Sequence, residues 1–179
     1  MTPTAQKSEV KDKVIEYDKV LQDEVTSEEQ YLTFQIASED YGIELIQSKE
    51  VIKVPQITNV PHTEDYVLGV INLRGQIVPV IDLKKKLALE METDKEKINR
   101  EAKRIIIVQK EETLVGIMVD QIKEVLNIDV DNIQEITESE RGISKEFIEG
   151  IFNTGDHLII IIDINEILFK DKENEGKEQ

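Results

Sequence analysis

Apolar residues in this chain come in short runs, most with a period of two, separated by Gly, Pro, Asp and charged positions. That pattern predicts short strands joined by tight turns. The densest run of the first half is Gly69 to Leu83, GVINLRGQIVPVIDL, which reads as two strands turning once at Arg74-Gly75. Pro79 in its second strand cannot donate a ladder hydrogen bond and predicts an edge or a bulge there. Upstream, Leu32, Phe34 and Ile36 share one face of YLTFQI, residues Ser38 to Asp40 turn the chain, and YGIELI returns it as a hairpin that starts near Tyr31.

Gln47 to Val54 either extends that strand or makes a short helical turn before Pro55, and a turn leading into a short strand is the favoured reading. Pro61 follows in a loop, where Thr63, Glu64 and Asp65 predict one short helical turn. Leu83 to Leu89 predicts a short helix after Asp82. From Glu90 to Lys103 the chain is charged and nearly without apolar residues, as in a mobile connector. Beyond it, RIIIVQ and TLVGIMVD repeat the hairpin idea, QIKEVLNI follows, and a polar loop spans Asp129 to Glu146. FIEGIF and HLIIIIDI are predicted strands, the latter holding His157. Asn165 to Phe169 begins a terminal helix, and residues 170–179 are expected to be a disordered tail.

Residues 1–30 form an acidic extension in which Val10, Val14, Tyr17, Leu21 and Val25 make one thin helical stripe. A docking helix and a fraying helix on a solvated tail are both consistent with it. The 179 residues fit one ordinary domain or two small ones. Aromatic residues are 4% and Trp is absent, so Ile, Val and Leu must build the core, which favours strands. A formal net charge of -16 argues against tracking nucleic-acid phosphates or an anionic membrane face. With no Cys, no apolar leader and no run long enough to span a bilayer, the expectation is a cytoplasmic protein without direct membrane insertion.

The chain repeats itself. YGIELIQSKEVI, from Tyr41, aligns with VGIMVDQIKEVL, from Val115, and Gly69 to Leu83 aligns without a gap with Gly150 to Ile164. Each copy predicts about five short strands, enough for a small closed or half-closed barrel with a thin core. The expected division is 31–89 and 104–169, two subdomains packed through an Ile-rich surface that leaves a groove at the seam. Matched residues belong most simply to the fold: Gly42 with Gly116 and Gly69 with Gly150 for close approach or backbone conformation, Asp82 with Asp163 as strand-end caps. Arg74 is unmatched, because its counterpart is Gly155. A solubilising turn residue and a bidentate carboxylate contact both remain open for it.

Catalytic groups are sparse. Only His62 and His157 are present, neither in metal-ligand spacing, and there is no phosphate-binding Gly loop or Gly-x-Ser-x-Gly elbow. Asp82 and Asp163 as a carboxylate dyad of a small hydrolase is the remaining enzymatic alternative, and their matched strand-end positions fit caps better. No cofactor or metal is expected.

The segment around Asn72, Leu73, Arg74 and Gly75, with YLTFQIASEDYGIELIQSKEVI and VGIMVDQIKEVL, resembles the CheW family of bacterial chemotaxis coupling proteins, from about Gln30 to Phe169. The resemblance implies a mainly β fold, with two tandem five-stranded SH3-like barrels packed together as one interleaved domain and a few short helices. It implies a non-catalytic adaptor that couples the cytoplasmic tips of chemoreceptors to the histidine kinase CheA through the kinase's regulatory domain, recruited to membrane receptor arrays. A scaffold that binds only the regulatory domain is its nearest alternative. Carried over by position, Arg74 and Glu50 fall at interaction positions, and Gly69, Gly116 and Val125 fall where the family is sensitive to change. Ser48 departs from the apolar residue that many relatives place there. Among the family's relatives, a stand-alone coupler is expected over a kinase or a receiver-bearing protein, whose added domains exceed the remaining residues.

Overall fold

A computed structural model describes residues 27–89, 99–137 and 142–175. Its strands are β1 (Glu28–Ile36), β2 (Glu39–Glu44), β3 (Ser48–Lys53), β4 (Val67–Leu73), β5 (Gln76–Asp82), β6 (Arg104–Lys110), β7 (Thr113–Val119), β8 (Gln121–Asp129), β9 (Ile148–Asn153) and β10 (Leu158–Ile162). Two helices, α1 (Leu83–Lys86) and α2 (Ile164–Glu175), follow β5 and β10. Sheet I has the order β8-β1-β2-β10-β9 and sheet II the order β3-β6-β7-β5-β4.

Those orders show how the repeat is built. Replacing β1–β5 with β6–β10 and the reverse converts one sheet into the other. Each half therefore lends its first hairpin to the other half's sheet: β1-β2 sits between β8 and β10, and β6-β7 between β3 and β5. The expected division at the connector, 31–89 and 104–169, is thus not the division between sheets. Sequence similarity identifies the repeated unit, whereas strand pairing decides which copies share a ladder.

Runs such as IIIV and IIII follow from this placement. Ile105 and Ile107 point into a cluster inside sheet II, while Ile106 and Val108 point into a core between the sheets. A strand covered on both faces has no position left for a polar residue. Twenty buried residues form the shared core, against six inside sheet II and four inside sheet I, so most of the burial lies between the barrels. The cluster inside sheet II is flanked by Ile52 of β3 and Leu68 of β4, from opposite edges of the sheet, so the sheet curls into an open barrel.

Glycine permits the tightest approaches. A Cβ on Gly69 would lie 2.2 Å from the Thr58 carbonyl oxygen, and its φ of +140° is one that L side chains rarely adopt. Thr58 and Val70 exchange backbone hydrogen bonds of 2.9 Å beside it, and Gln134 and Ile151 repeat that bridge beside Gly150. Gly116 lies against the side chains of Ile105 and Val80.

Several local expectations change. Pro79 lies in an interior strand, but β5 pairs with β7 only from Val80 onward, so its missing N–H breaks no ladder on that side. Thr63 to Asp65 form no helix; the Val67 amide closes a turn on the Glu64 carbonyl. Pro61 and Tyr66 bracket too few residues for a helix nucleus. The first strand begins at Glu28, because β8 extends far enough to pair with it. His157 stands in the β9-β10 turn, not in a strand. Residues 99–103 are a turn held by bonds from Ala102 and Glu101 to Asn99. The terminal helix continues through residues 170–175 of the expected tail, since an N-capped first turn favours propagation. The stripe at Val10 to Val25, the centre of the connector and residues 176–179 lie outside the described residues.

Candidate protein-binding surface

Arg74 and Gly75 form a two-residue turn with φ of 50° and 86°, the mirror-image turn that suits a twisted hairpin. Gly75 is at home there, and its amide bonds Asn72 Oδ1 at 2.8 Å. Arginine is not: left-handed backbone costs a residue with a Cβ about 1 kcal/mol, and Asn, Asp or Gly would fill the turn better. What the position supplies is a guanidinium aimed across the barrel opening.

That guanidinium meets Glu50. Arg74 Nη1 donates to Glu50 Oε2 at 3.3 Å, and Nη2 donates to Oε1, a bidentate fork. Glu50 lies on β3 and Arg74 at the β4-β5 tip, which belong to opposite edges of sheet II, so the pair spans the seam of the barrel. The hydrogen bond from Arg74 holds the Glu50 carboxyl below its ordinary range. The Arg74 side chain keeps 68% of its surface exposed, so the pair remains open to a partner.

The other expected positions divide by burial. Ser48 begins β3 opposite Val108 and is half-buried on the same strand as Glu50. Val125 is exposed on β8, in the other sheet. Gly69 and Gly116 are buried, where an added Cβ would meet Thr58 and Ile105. Asp82 and Asp163 cap helices: Asp82 Oδ1 accepts from the Lys85 amide at 3.3 Å, and Asp163 Oδ1 from Asn165 and Glu166 at 3.0 and 3.1 Å.

Periodicity alone missed the exposed apolar side chains. Ile46 is 90% exposed in the link between β2 and β3, where the expected strand ends and a 3-10 turn begins. Ile77 and Leu158 occupy equivalent positions in the two β strands that follow the hairpin tips, and Val51 and Val125 equivalent positions on β3 and β8; all four are exposed. The signal was in the repeat, since each pair aligns. The repeat therefore exposes an apolar side chain at the same place in each barrel.

Glu29 and Glu44 line a cavity with Ile46, and both act on Glu149. Glu149 is pushed up to about 7 by desolvation and by Glu44, Asp163 and Glu29. A carboxyl with a raised folded-state value binds more protons folded than unfolded, so stability falls as pH rises from about 4.5 toward 7. After discounting for solvent screening, its contribution is about 1 kcal/mol. Thermal melts are expected to rise by about 2–4 °C between about pH 8 and pH 5.5, and Glu149→Gln should flatten that slope.

The comparisons agree with this architecture. The family model described as CheW-like domain matches residues 30–172. The chemotaxis protein CheW of Treponema pallidum is 33% identical over 144 residues, covering 80% of this chain and 84% of that protein. CheW of Bacillus subtilis is 35% identical over 149 residues, covering 83% and 92%. Among solved structures, the scaffolding protein TtCheW from Thermoanaerobacter tengcongensis superposes with a TM-score of 0.69 at 36% identity, covering 78% of this chain and 87% of that one. No described helix is long and apolar enough to cross a membrane. The chain belongs to the CheW family of non-catalytic chemotaxis adaptor proteins.

Proposed function

We propose that this protein couples chemoreceptors to the histidine kinase CheA by binding the kinase's regulatory domain and the cytoplasmic tip of a receptor at once, in the cytoplasm beneath receptor arrays. One observation carries the reading: exposed apolar residues recur at equivalent positions of two barrels, Val51 with Val125 and Ile77 with Leu158. A chain that presents the same kind of surface twice is suited to bridging two partners. The partner-facing chemistry is packing against those residues, with the Arg74–Glu50 pair supplying orientation at the rim of one barrel. Ser48 and Val125 belong to that contact surface, and Gly69 and Gly116 keep its strands in place.

Arg74→Asn tests the assignment, because Asn tolerates the left-handed turn and removes only the cation. The thermal melt should move by less than about 2 °C, while binding to a receptor tip or to the regulatory domain weakens by about 1–3 kcal/mol. Unchanged binding to both partners would remove Arg74 from the contact surface.

A further inference from the structure

Glu124 is the counterpart of Glu50. Both stand at a bulge in a strand paired with the first strand of the other half, Glu50 opposite Ile107 and Glu124 beside Thr33. In the barrel of sheet II (barrel II, with barrel I that of sheet I), Glu50 is forked by the turn-borne Arg74. In barrel I the aligned turn residue is Gly155, and a cavity of about 540 Å³ opens beside it. Two further exchanges make its lining polar. Thr33 replaces Ile107 and Asp40 replaces Leu114, both of which are buried apolar residues inside barrel II.

Asp40 is the sharper of the two. Its Oδ1 oxygen is buried and accepts no hydrogen bond within the described structure. Asp40 as a whole is half-buried and lines the cavity, so Oδ1 lies beneath its wall. Asp40, Glu124 and Asp156 line the cavity against a single ammonium, Lys123, while the Thr33 and Thr154 hydroxyls are bonded to the backbone of Glu124 and His157. Acceptors spread over β1-β2, β8 and the β9-β10 turn suit a planar donor with several N–H groups better than a point charge.

We infer that the mouth of barrel I is a receptor for an arginine side chain carried on a turn of a protein partner, which supplies from outside the guanidinium that barrel II supplies to itself. The occupant's chemistry is argued from the same molecule: glutamate at this place in the repeat holds an arginine presented by a two-residue turn. The site lies on the other barrel from Arg74, beside Val125 and Leu158 of the proposed coupling surface, and takes a different group, a guanidinium.

The test uses the full chain and two-dimensional amide NMR, with the peptide acetyl-Leu-Arg-Gly-Gln-amide as probe and its Lys and citrulline versions as controls. The arginine peptide should shift the amides of Thr33, Glu124, Thr154 and Ile159 in a saturable way, and bind at least about fivefold more tightly than the lysine peptide. The citrulline peptide should leave those signals in place. Asp40→Asn and Glu124→Gln, tested separately, should each weaken the arginine peptide at least about fivefold with the melt nearly unchanged. Equal binding of all three peptides, shifts confined to other residues, or full affinity in both variants would overturn the assignment. Acetyl-arginine amide binding as tightly as the tetrapeptide would also overturn it, by assigning the cavity to a small guanidinium ligand.

Discussion

Gly69→Ala is expected to destabilise the protein by about 3–5 kcal/mol, lowering the melting temperature by roughly 10 °C or more. Two independent costs meet at this residue. The added Cβ would sit 2.2 Å from the Thr58 carbonyl oxygen, a backbone atom that cannot swing aside, and 3.0 Å from Ile57. The backbone φ of +140° is also unfavourable for any side chain. Relief by movement would break the paired 2.9 Å bonds between Thr58 and Val70, which cap the free edge of β4. Gly150→Ala should be destabilising too, since its Cβ would lie 2.5 Å from Ile133 and 2.7 Å from the Gln134 carbonyl oxygen. Calorimetry reads both. A melt within about 2 °C of the parent for Gly69→Ala would contradict the packing described. Lost partner binding in such a variant therefore follows from the fold.

Cutting the chain within residues 90–98 has the second large effect. Each fragment alone is expected to lack a dispersed amide spectrum and a cooperative melt, and mixing the two should restore both. Neither sheet can form from one half. Sheet I needs β1-β2 from the first half and β8, β9 and β10 from the second; sheet II needs β6-β7 from the second half among β3, β4 and β5. The shared core would be split as well, leaving Leu32, Phe34, Tyr41 and Ile81 of one fragment without Ile106, Val115, Ile117 and Ile160 of the other. A hairpin with that much unburied surface is marginal on its own. Either fragment giving a native-like spectrum alone would contradict the interleaved pairing.

The repeat made much of this fold legible. Aligning Tyr41 with Val115 and Gly69 with Gly150 located the equivalent strands, the shared glycines and the caps at Asp82 and Asp163. It also separated Arg74 from its matched neighbours, and the structure places that residue across the barrel seam on Glu50. What the repeat could not convey was pairing between copies, because alternation within a strand is the same whichever strand lies beside it. The exposed state of Ile46 and Ile77 was hidden for a related reason: hydrophobicity marks a side chain as fit for burial, and a partner surface satisfies that as well as a core. The polar mouth of barrel I is written as Thr33 and Asp40 in place of Ile107 and Leu114, just before the segment where the two copies are similar.

The coupling role is tested most directly by one titration of the full chain with the isolated regulatory domain of CheA and a soluble receptor-tip fragment, separately and together. The account predicts that each binds alone and that all three sediment as one ternary complex, with neither partner displacing the other. Binding of the regulatory domain alone, or competition between the two partners for one surface, would contradict it.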